Sequence, residues 1–184
     1  MGFHDSQGNY HEHRGHVKLS LNDWREVTTA GAVSNIAANG GLLASDTTPA
    51  LMAETTTESM GINWIAGNSD ILQAQQILPP DFDGREDALL ELWVLTDNTG
   101  GGGIEAGTFS VLTSWDNGAQ VTDTATDSTP AVTSHKITAR IAAADIPDNP
   151  SFVNIQLVLG THANDPVHML ASRITYVPRT IAAA

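Results

Sequence analysis

Four of the seven histidines in this chain lie in one short N-terminal stretch, HDSQGNYHEHRGH. They are His4, His11, His13 and His16. His11 and His13 stand two residues apart, so on a strand they would share one face. Imidazole nitrogens bind Zn²⁺ or Ni²⁺, and they titrate at about pH 6.5. The stretch therefore fits three interpretations: a metal site, a pH-responsive contact, or a polar arm that binds a neighbouring subunit.

A polar arm over residues 1–16 is the interpretation that the composition of this stretch favours. Its apolar side chains are few, so it cannot form a core element alone. A catalytic zinc ion needs ligands on a rigid scaffold, which an arm does not supply. We therefore expect no metal and no cofactor, but a contact between this arm and a partner subunit. The expected contact residues are His4, Tyr10, His11, His13, Arg14 and His16.

Three further stretches hold residue types that catalysis or metal binding uses. DFDGRED at 81–87 offers oxygen ligands for Ca²⁺, but its spacing fails the EF-hand pattern and favours a solvated turn. THANDPVH at 161–168 holds His162, Asp165 and His168, but Asn-Asp-Pro is common in tight turns. Gly-x-Ser-x-Gly is absent, and NTGGGG lacks the lysine of a phosphate loop. The sequence predicts no catalytic residues; a metal-dependent enzyme using the N-terminal histidines is the alternative.

Tryptophan side chains can stack on sugar rings and so bind a carbohydrate. The chain has four of them: Trp24, Trp64, Trp93 and Trp115. Trp93 lies in the most apolar segment, ALLELWVL, and is expected in the core. Trp115 borders the Asp-Asn-Gly turn at 116–118 and is expected to be exposed. Trp115 is therefore the candidate ligand contact.

Charge and composition exclude several classes of partner. The 184 residues carry a net charge of −13 and include no cysteine, which removes disulfides and thiolate chemistry. Between Glu26 and Lys136 only Arg85 is basic, against fourteen acidic residues. Such a surface repels phosphate backbones, so nucleic-acid binding is not expected. No apolar run approaches ~18 residues, which predicts no membrane span, and the polar N-terminal stretch predicts no secretion signal.

Alternating apolar residues recur along the chain, with turn residues between them. VKLSL, GTFSVLTSW and FVNIQLVLG have the period of two that half-buried strands show. ILQAQQI fits either a helix or a strand, and the Pro-Pro that closes it favours a strand. We expect an all-β fold, a jelly-roll-like antiparallel β-sandwich of about eight strands. It forms a single domain over residues 17–184, preceded by the extended N-terminal arm.

The C-terminal third resembles the last strands of jelly-roll proteins from tailed bacteriophage particles. The matching stretch is HKITARIAAADIPDNPSFVNIQLVLGTHANDPVHMLASRITYVPR. It has a helical turn at AAADIP, a loop at HANDP and a last strand that ends in Ile174-Thr175-Tyr176. Upstream, INWIAGNSDILQAQQILPPDFDGREDALLELWVL is similar to their central segment, with a Leu-Pro-x-Asp step before an apolar strand. The resemblance spans roughly residues 60–178, and its motifs are structural turns.

The resemblance implies a structural role on a virion. Such domains decorate or cement capsids, usually as trimers. It therefore implies a capsid decoration protein without enzymatic activity, whose partners are the major capsid protein and its own copies in a homotrimer. The implied location is the outer capsid surface, after synthesis in the host cytoplasm. The alternative is a receptor-binding or carbohydrate-binding head domain of a phage fibre or spike, which would use Trp115.

Overall fold

A computed structural model describes most of the chain, and every structural statement below concerns the residues that it describes. These are residues 3–4, 10–11, 14–27, 49–53, 59–65, 67, 70–96, 107–126, 134–160 and 166–179, with the backbone alone described at 3–4 and 10–11. In these residues, no helix has both the length and the apolar character that a membrane crossing requires.

β-Strands make up most of the described residues. In chain order they are β1 (Phe3–His4), β2 (Tyr10–His11), β3 (Gly15–Leu19), β4 (Arg25–Val27), β5 (Ala50–Ala53), β6 (Met60–Trp64), β7 (Ile71–Ile77), β8 (Ala88–Thr96), β9 (Thr108–Trp115), β10 (Val121–Thr126), β11 (His135–Ile141), β12 (Phe152–Leu159) and β13 (Val167–Tyr176). Short 3-10 helices span Leu21–Asp23 and Ala143–Asp145. The second of these confirms the helical turn predicted at AAADIP, and β7 confirms that ILQAQQI is extended.

Two antiparallel sheets form the β-sandwich. The five-stranded sheet has the order β10-β9-β12-β7-β4. The six-stranded sheet has the order β11-β8-β13-β6-β5, and β3 pairs with β13 beyond the end of β6. The predicted antiparallel β-sandwich is confirmed. In the described residues the two sheets hold more strands than the eight or so expected, in part because β4, of 3 residues, is too short to show an alternating pattern.

The N-terminal stretch contributes to the six-stranded sheet. β1 pairs with β2, whereas β3 begins at Gly15 and pairs with β13 along its whole length. A side chain at Gly15 would place its Cβ 2.2 Å from the Tyr176 ring, so this register requires glycine. Gly15 and His16 therefore lie in the sheet, just before the domain boundary predicted at residue 17.

Inward side chains from both sheets form one core. In β9 and β12 every second residue is buried, as the alternation predicts. Trp64 of the six-stranded sheet meets Phe109 of the five-stranded sheet edge to face, with ring centroids 5.7 Å apart. The sheets are therefore held together by direct packing across their interface.

The predicted Asp-Asn-Gly hairpin joins β9 to β10. Asp116 and Asn117 have φ of 48° and 63°, the left-handed conformation that these residue types tolerate in a tight hairpin. Asp116 Oδ1 also accepts hydrogen bonds from the backbone N–H groups of Ser151 and Phe152, at 2.9 and 3.1 Å. The turn thus fixes the start of β12.

The two stretches that carry the bacteriophage resemblance meet at one end of the sandwich. The Tyr176 hydroxyl donates to Asp81 Oδ1 at 2.9 Å, and Phe82 stacks on the Tyr176 ring with centroids 4.9 Å apart. Burial, together with this bond to the Asp81 carboxylate, raises the pKa of Tyr176 to about 12. The segment after β7 therefore closes this end of the core.

Candidate functional site

Two of the six predicted contact residues have described side chains. Arg14 is half-buried, and His16 is exposed on β3, where its Nδ1 lies 3.0 Å from Thr175 Oγ1. The side chains of the other four lie outside the described residues: His4, Tyr10, His11 and His13. Contact between this stretch and a partner stays a prediction.

The structure gathers no metal-binding cluster in the residues that it describes, where no three His, Asp or Glu side chains are placed to hold an ion. In the 81–87 loop, Asp83 forms an ion pair with Arg85 at 2.8 Å, and hydrogen bonding from Arg85 lowers the pKa of Asp83 to about 2. His168 is buried on β13, while His162 and Asp165 lie outside the described residues.

Trp115 is buried, which corrects the prediction that it is exposed. Only 3% of its surface is accessible. It occupies the last inward position of β9, opposite Val153 of β12, and its ring centroid lies 5.7 Å from that of Phe82. Trp24 and Trp64 are also buried. Trp115 therefore packs the core and presents no ring face to a sugar.

Trp93 is half-buried on the outward side of β8, which corrects its expected place in the core. Its neighbours Leu92 and Val94 point inward, so alternation turns Trp93 outward on the same side as Glu91. The Arg173 guanidinium lies 5.0 Å from the centre of the Trp93 ring. The Trp93 ring thus already forms a cation–π contact with a residue of the neighbouring strand β13.

Trp93 belongs to a charged outward surface of the six-stranded sheet, which we call the charged face. It includes these outward positions on β3, β8, β11 and β13: His16, Lys18, Glu91, Trp93, Lys136, Thr138, Arg140, Arg173 and Thr175. Cations outnumber carboxylates on these strands, although the chain as a whole is strongly acidic.

Glu91 lies at the centre of the charged face, with 4% of its surface accessible. Its carboxylate accepts hydrogen bonds from Lys136, Arg173 and Thr175. Burial raises the pKa of Glu91, but these hydrogen bonds outweigh burial, and its pKa falls to about 2. The Thr175 hydroxyl donates its hydrogen to Glu91. The Thr175 oxygen can therefore accept a hydrogen bond from His16 Nδ1. One network therefore joins β11, β8, β13 and β3.

Four strands of the five-stranded sheet present an uncharged outward surface, which we call the amide face. It consists of outward positions on β7, β9, β10 and β12: Ile71, Gln73, Gln75, Ile77, Thr108, Ser110, Leu112, Ser114, Thr122, Thr124, Thr126, Phe152, Asn154, Gln156 and Val158. The edge strand β4 adds Arg25, whose guanidinium donates to the backbone oxygens of Asn22 and Trp24. These four strands thus form a neutral surface of amides, hydroxyls and aliphatic groups.

Gln73 and Gln156 of the amide face form a row with Gln120, which lies just before β10. Gln120 Nε2 donates to Gln156 Oε1 at 3.0 Å, and Gln156 Nε2 donates to Gln73 Oε1 at 3.0 Å. Gln75 and Asn154 form the adjacent row, because they are direct partners on β7 and β12. The bonds in the first row hold the central amides in fixed orientations.

The residues of the amide face were not singled out from the sequence, although a signal was present. In ILQAQQI and FVNIQLVL, Gln73, Gln75, Asn154 and Gln156 occupy alternate positions of strands that are otherwise apolar. Amides repeated at a period of two lie on one side of a strand. Pairing of β7 with β12 then brings the four together.

The chain matches no family model and no curated protein. Among solved structures, the xylan-binding module CBM15 is similar with a TM-score of 0.56, over 91% of this chain and 100% of that chain, at 14% identity. The CBM22-1-GH10 modules of Clostridium thermocellum endo-1,4-β-D-xylanase 10B give a TM-score of 0.48 at 20% identity. This match covers 89% of the present chain but only 28% of that longer chain. The similarity to the xylan-binding module confirms the jelly-roll-like fold.

Proposed function

We propose that this chain is a non-catalytic module that binds a neutral polysaccharide on the amide face. The observation that carries the proposal is the lack of charge on the outward positions of β7, β9, β10 and β12, in a chain with a net charge of −13. Sugar hydroxyls are neutral donors and acceptors, and amide side chains offer both functions. The fold supports the same ligand class, since the similar CBM15 module binds xylan.

The arrangement of the amide face suits an extended ligand. Gln156 is held between its two neighbours and retains one amide N–H and part of its acceptor capacity for a ligand. Ile71 and Val158 form an apolar pair at one end of the amide rows, and Ile77 and Phe152 form another at the opposite end. Such pairs can contact the apolar faces of sugar rings while the amides bind hydroxyls. The outward positions of β7 extend over roughly 20 Å.

The affinity expected for such a site is modest. Each neutral hydrogen bond contributes about 1 kcal/mol net, because both partners give up bonds to water. Phe152 is the aromatic residue among the outward positions of these strands, and it is half-buried. We therefore expect dissociation constants of about 0.1–1 mM for short oligosaccharides.

Titration of xylohexaose into the purified chain, followed by calorimetry and by amide chemical shifts, tests the proposal. Gln156→Ala removes the central amide of the row and is expected to weaken binding by about tenfold. Gln73→Ala should act in the same direction. Gln76→Ala is the matched control, because Gln76 lies on the same strand with its side chain on the opposite side, opposite Val153. It should change affinity by less than about twofold.

Three results would each contradict a part of the proposal. Absence of binding to xylohexaose and to other neutral oligosaccharides would contradict the proposed carbohydrate-binding function. Binding that survives both Gln156→Ala and Gln73→Ala would remove the amide face as its site. Release of reducing ends from the oligosaccharide would contradict the non-catalytic assignment.

The expectations drawn from the bacteriophage resemblance stay predictions. They are the virion location, the major capsid protein as partner and the homotrimer. Binding of a glycan would agree with the alternative of a carbohydrate-binding head domain. The ligand contact would then be the amide face, where the sequence predicted Trp115.

A further inference from the structure

A cleft of about 380 Å³ opens where β7 ends and β12 begins. Ile77, which is 76% exposed, and Ser151 line it, so the cleft continues from the outward positions of these two strands. Leu78, Phe82 and Pro150 give it an apolar floor. A ligand lying along the amide face would therefore reach the cleft at one end.

Arg179 is the charged residue that lines this cleft. Its guanidinium donates to Asn149 Oδ1 and to the backbone oxygens of Asp148 and Phe82, at 2.7 and 3.4 Å for the latter two. All three acceptors are neutral, and Arg179 forms no ion pair with any residue that the structure describes. Its Nε–H is buried with no acceptor from those residues. Arg179 therefore has no ion-pair partner among the described residues, and the Asp83 carboxylate interacts with its charge only at longer range.

The carboxylates of Asp81 and Asp83 in the neighbouring loop are engaged by other groups. Asp83 binds Arg85 through both oxygens, at 2.9 and 2.8 Å, and Asp81 accepts the Tyr176 hydroxyl. Asp148 lines a smaller adjoining cleft, of about 130 Å³, together with Arg85 and Arg179. Arg85 is already paired with Asp83, and Arg179 donates to the backbone oxygen of Asp148 without forming an ion pair with its carboxylate, so the Arg179 guanidinium can approach an added anion.

We propose that this cleft binds a uronate residue of the glycan, with the uronate carboxylate against Arg179 and the sugar ring on the apolar floor. The inference rests on the proposed function, because the rest of the glycan lies on the amide face. A free carboxylate would offer Arg179 the same charge, so the experiment includes it as a separate ligand.

The test compares xylotetraose with xylotetraose that carries one glucuronic acid residue, and adds free glucuronate and acetate as separate probes. The wild-type chain is expected to bind the acidic oligosaccharide about fivefold more tightly than the neutral one. Ser151→Glu places a negative charge at the rim and should abolish this preference, whereas Ser151→Lys should increase it. The backbone of Ser151 bonds to Asp116 and Leu78, and the substitutions leave these bonds in place. Equal thermal midpoints would confirm intact folding.

Each outcome decides between the two proposals. If the neutral and acidic oligosaccharides bind equally in the wild-type chain and in both Ser151 variants, the cleft proposal is overturned and the amide face stands. If neither oligosaccharide binds, both proposals fall. If free glucuronate and acetate bind with the same dependence on Ser151→Glu and Ser151→Lys as the acidic oligosaccharide, a general carboxylate site replaces the glycan subsite.

Discussion

The two outward faces of this sandwich are built by the same strand alternation, yet their polar side chains have different partners. On the charged face, Glu91 accepts hydrogen bonds from Lys136 and Arg173, and a hydroxyl of β13 adds a third. On the amide face, Gln75 and Asn154 form no side-chain hydrogen bond with the residues that the structure describes. The charged face pairs its central carboxylate within the protein, whereas the amide face leaves the Gln75 and Asn154 side chains without a hydrogen bond to the described residues.

Under the proposed function, this difference assigns stability to the charged face and binding to the amide face. The Glu91 network links four strands, including β3 near the N-terminus, so it contributes to the cohesion of the six-stranded sheet. A buried carboxylate also specifies its partners, because leaving it unpaired is costly. Amides on a solvated sheet face carry no such penalty, since water replaces a missing partner. Substitutions on the two faces should therefore affect different measurements.

The largest expected effect is on the charged face. Glu91→Gln keeps the shape of the side chain but removes its charge, and should lower the free energy of unfolding by about 2 kcal/mol. The reverse exchange on the amide face, Gln156→Glu, should change it by less than about 0.5 kcal/mol, because its surroundings are solvated. Urea unfolding of both variants measures the contrast. Equal destabilisation would contradict the assignment of stability to the charged face.

Acid unfolding should sharpen the same comparison. The pKa of Glu91 is about 2 in the folded chain, against an ordinary value of 4.5. A carboxyl with a depressed pKa stabilises the fold above its unfolded pKa, and that stability is lost as pH falls from 4.5 toward 2. The wild-type chain should therefore lose more free energy of unfolding in this window than Glu91→Gln does.

Asp83 is the control for the acid window. The pKa of Asp83 is also about 2. The free energy of unfolding of Glu91→Gln should therefore still fall as the pH is lowered, and Asp83→Asn should remove a separate part of that loss. The measurement is urea unfolding at several pH values between 4.5 and 2. If the wild-type chain and Glu91→Gln lose equal stability across it, the Glu91 pKa is not depressed by its cationic partners.

Local alternation predicted much of this fold. GTFSVLTSW and FVNIQLVLG became β9 and β12 with the expected burial, and the Asp-Asn-Gly turn joins β9 to β10. The same alternation predicts that Trp115 is buried, because Trp115 shares the inward side of β9 with Phe109 and Val111. The adjacent turn instead predicts an exposed residue, and for Trp115 that prediction is wrong. A strand's period continues to its last residue, even where a turn follows.

The sites required information that local patterns do not contain. Gln156 and Gln73 are 83 positions apart, and they meet only because β12 pairs with β7. The Glu91 network likewise depends on β8 lying between β11 and β13. Which strands become neighbours is fixed by packing of the whole sandwich. An acidic residue within an apolar strand, as at Glu91, was nevertheless a local signal that this side of β8 faces outward.

The smallest expected effect decides which face holds the ligand. Trp93→Ala removes a half-buried ring that stacks against Arg173, an interaction worth roughly 0.5–1 kcal/mol at exposed sites. Because the ring is already covered by that cation, we expect xylohexaose affinity to stay within about twofold of the wild-type value. Calorimetric titration of Trp93→Ala beside Gln156→Ala gives the comparison. A loss of binding in Trp93→Ala, with full binding in Gln156→Ala, would move the ligand to the charged face, since aromatic stacking would then outweigh the amide row.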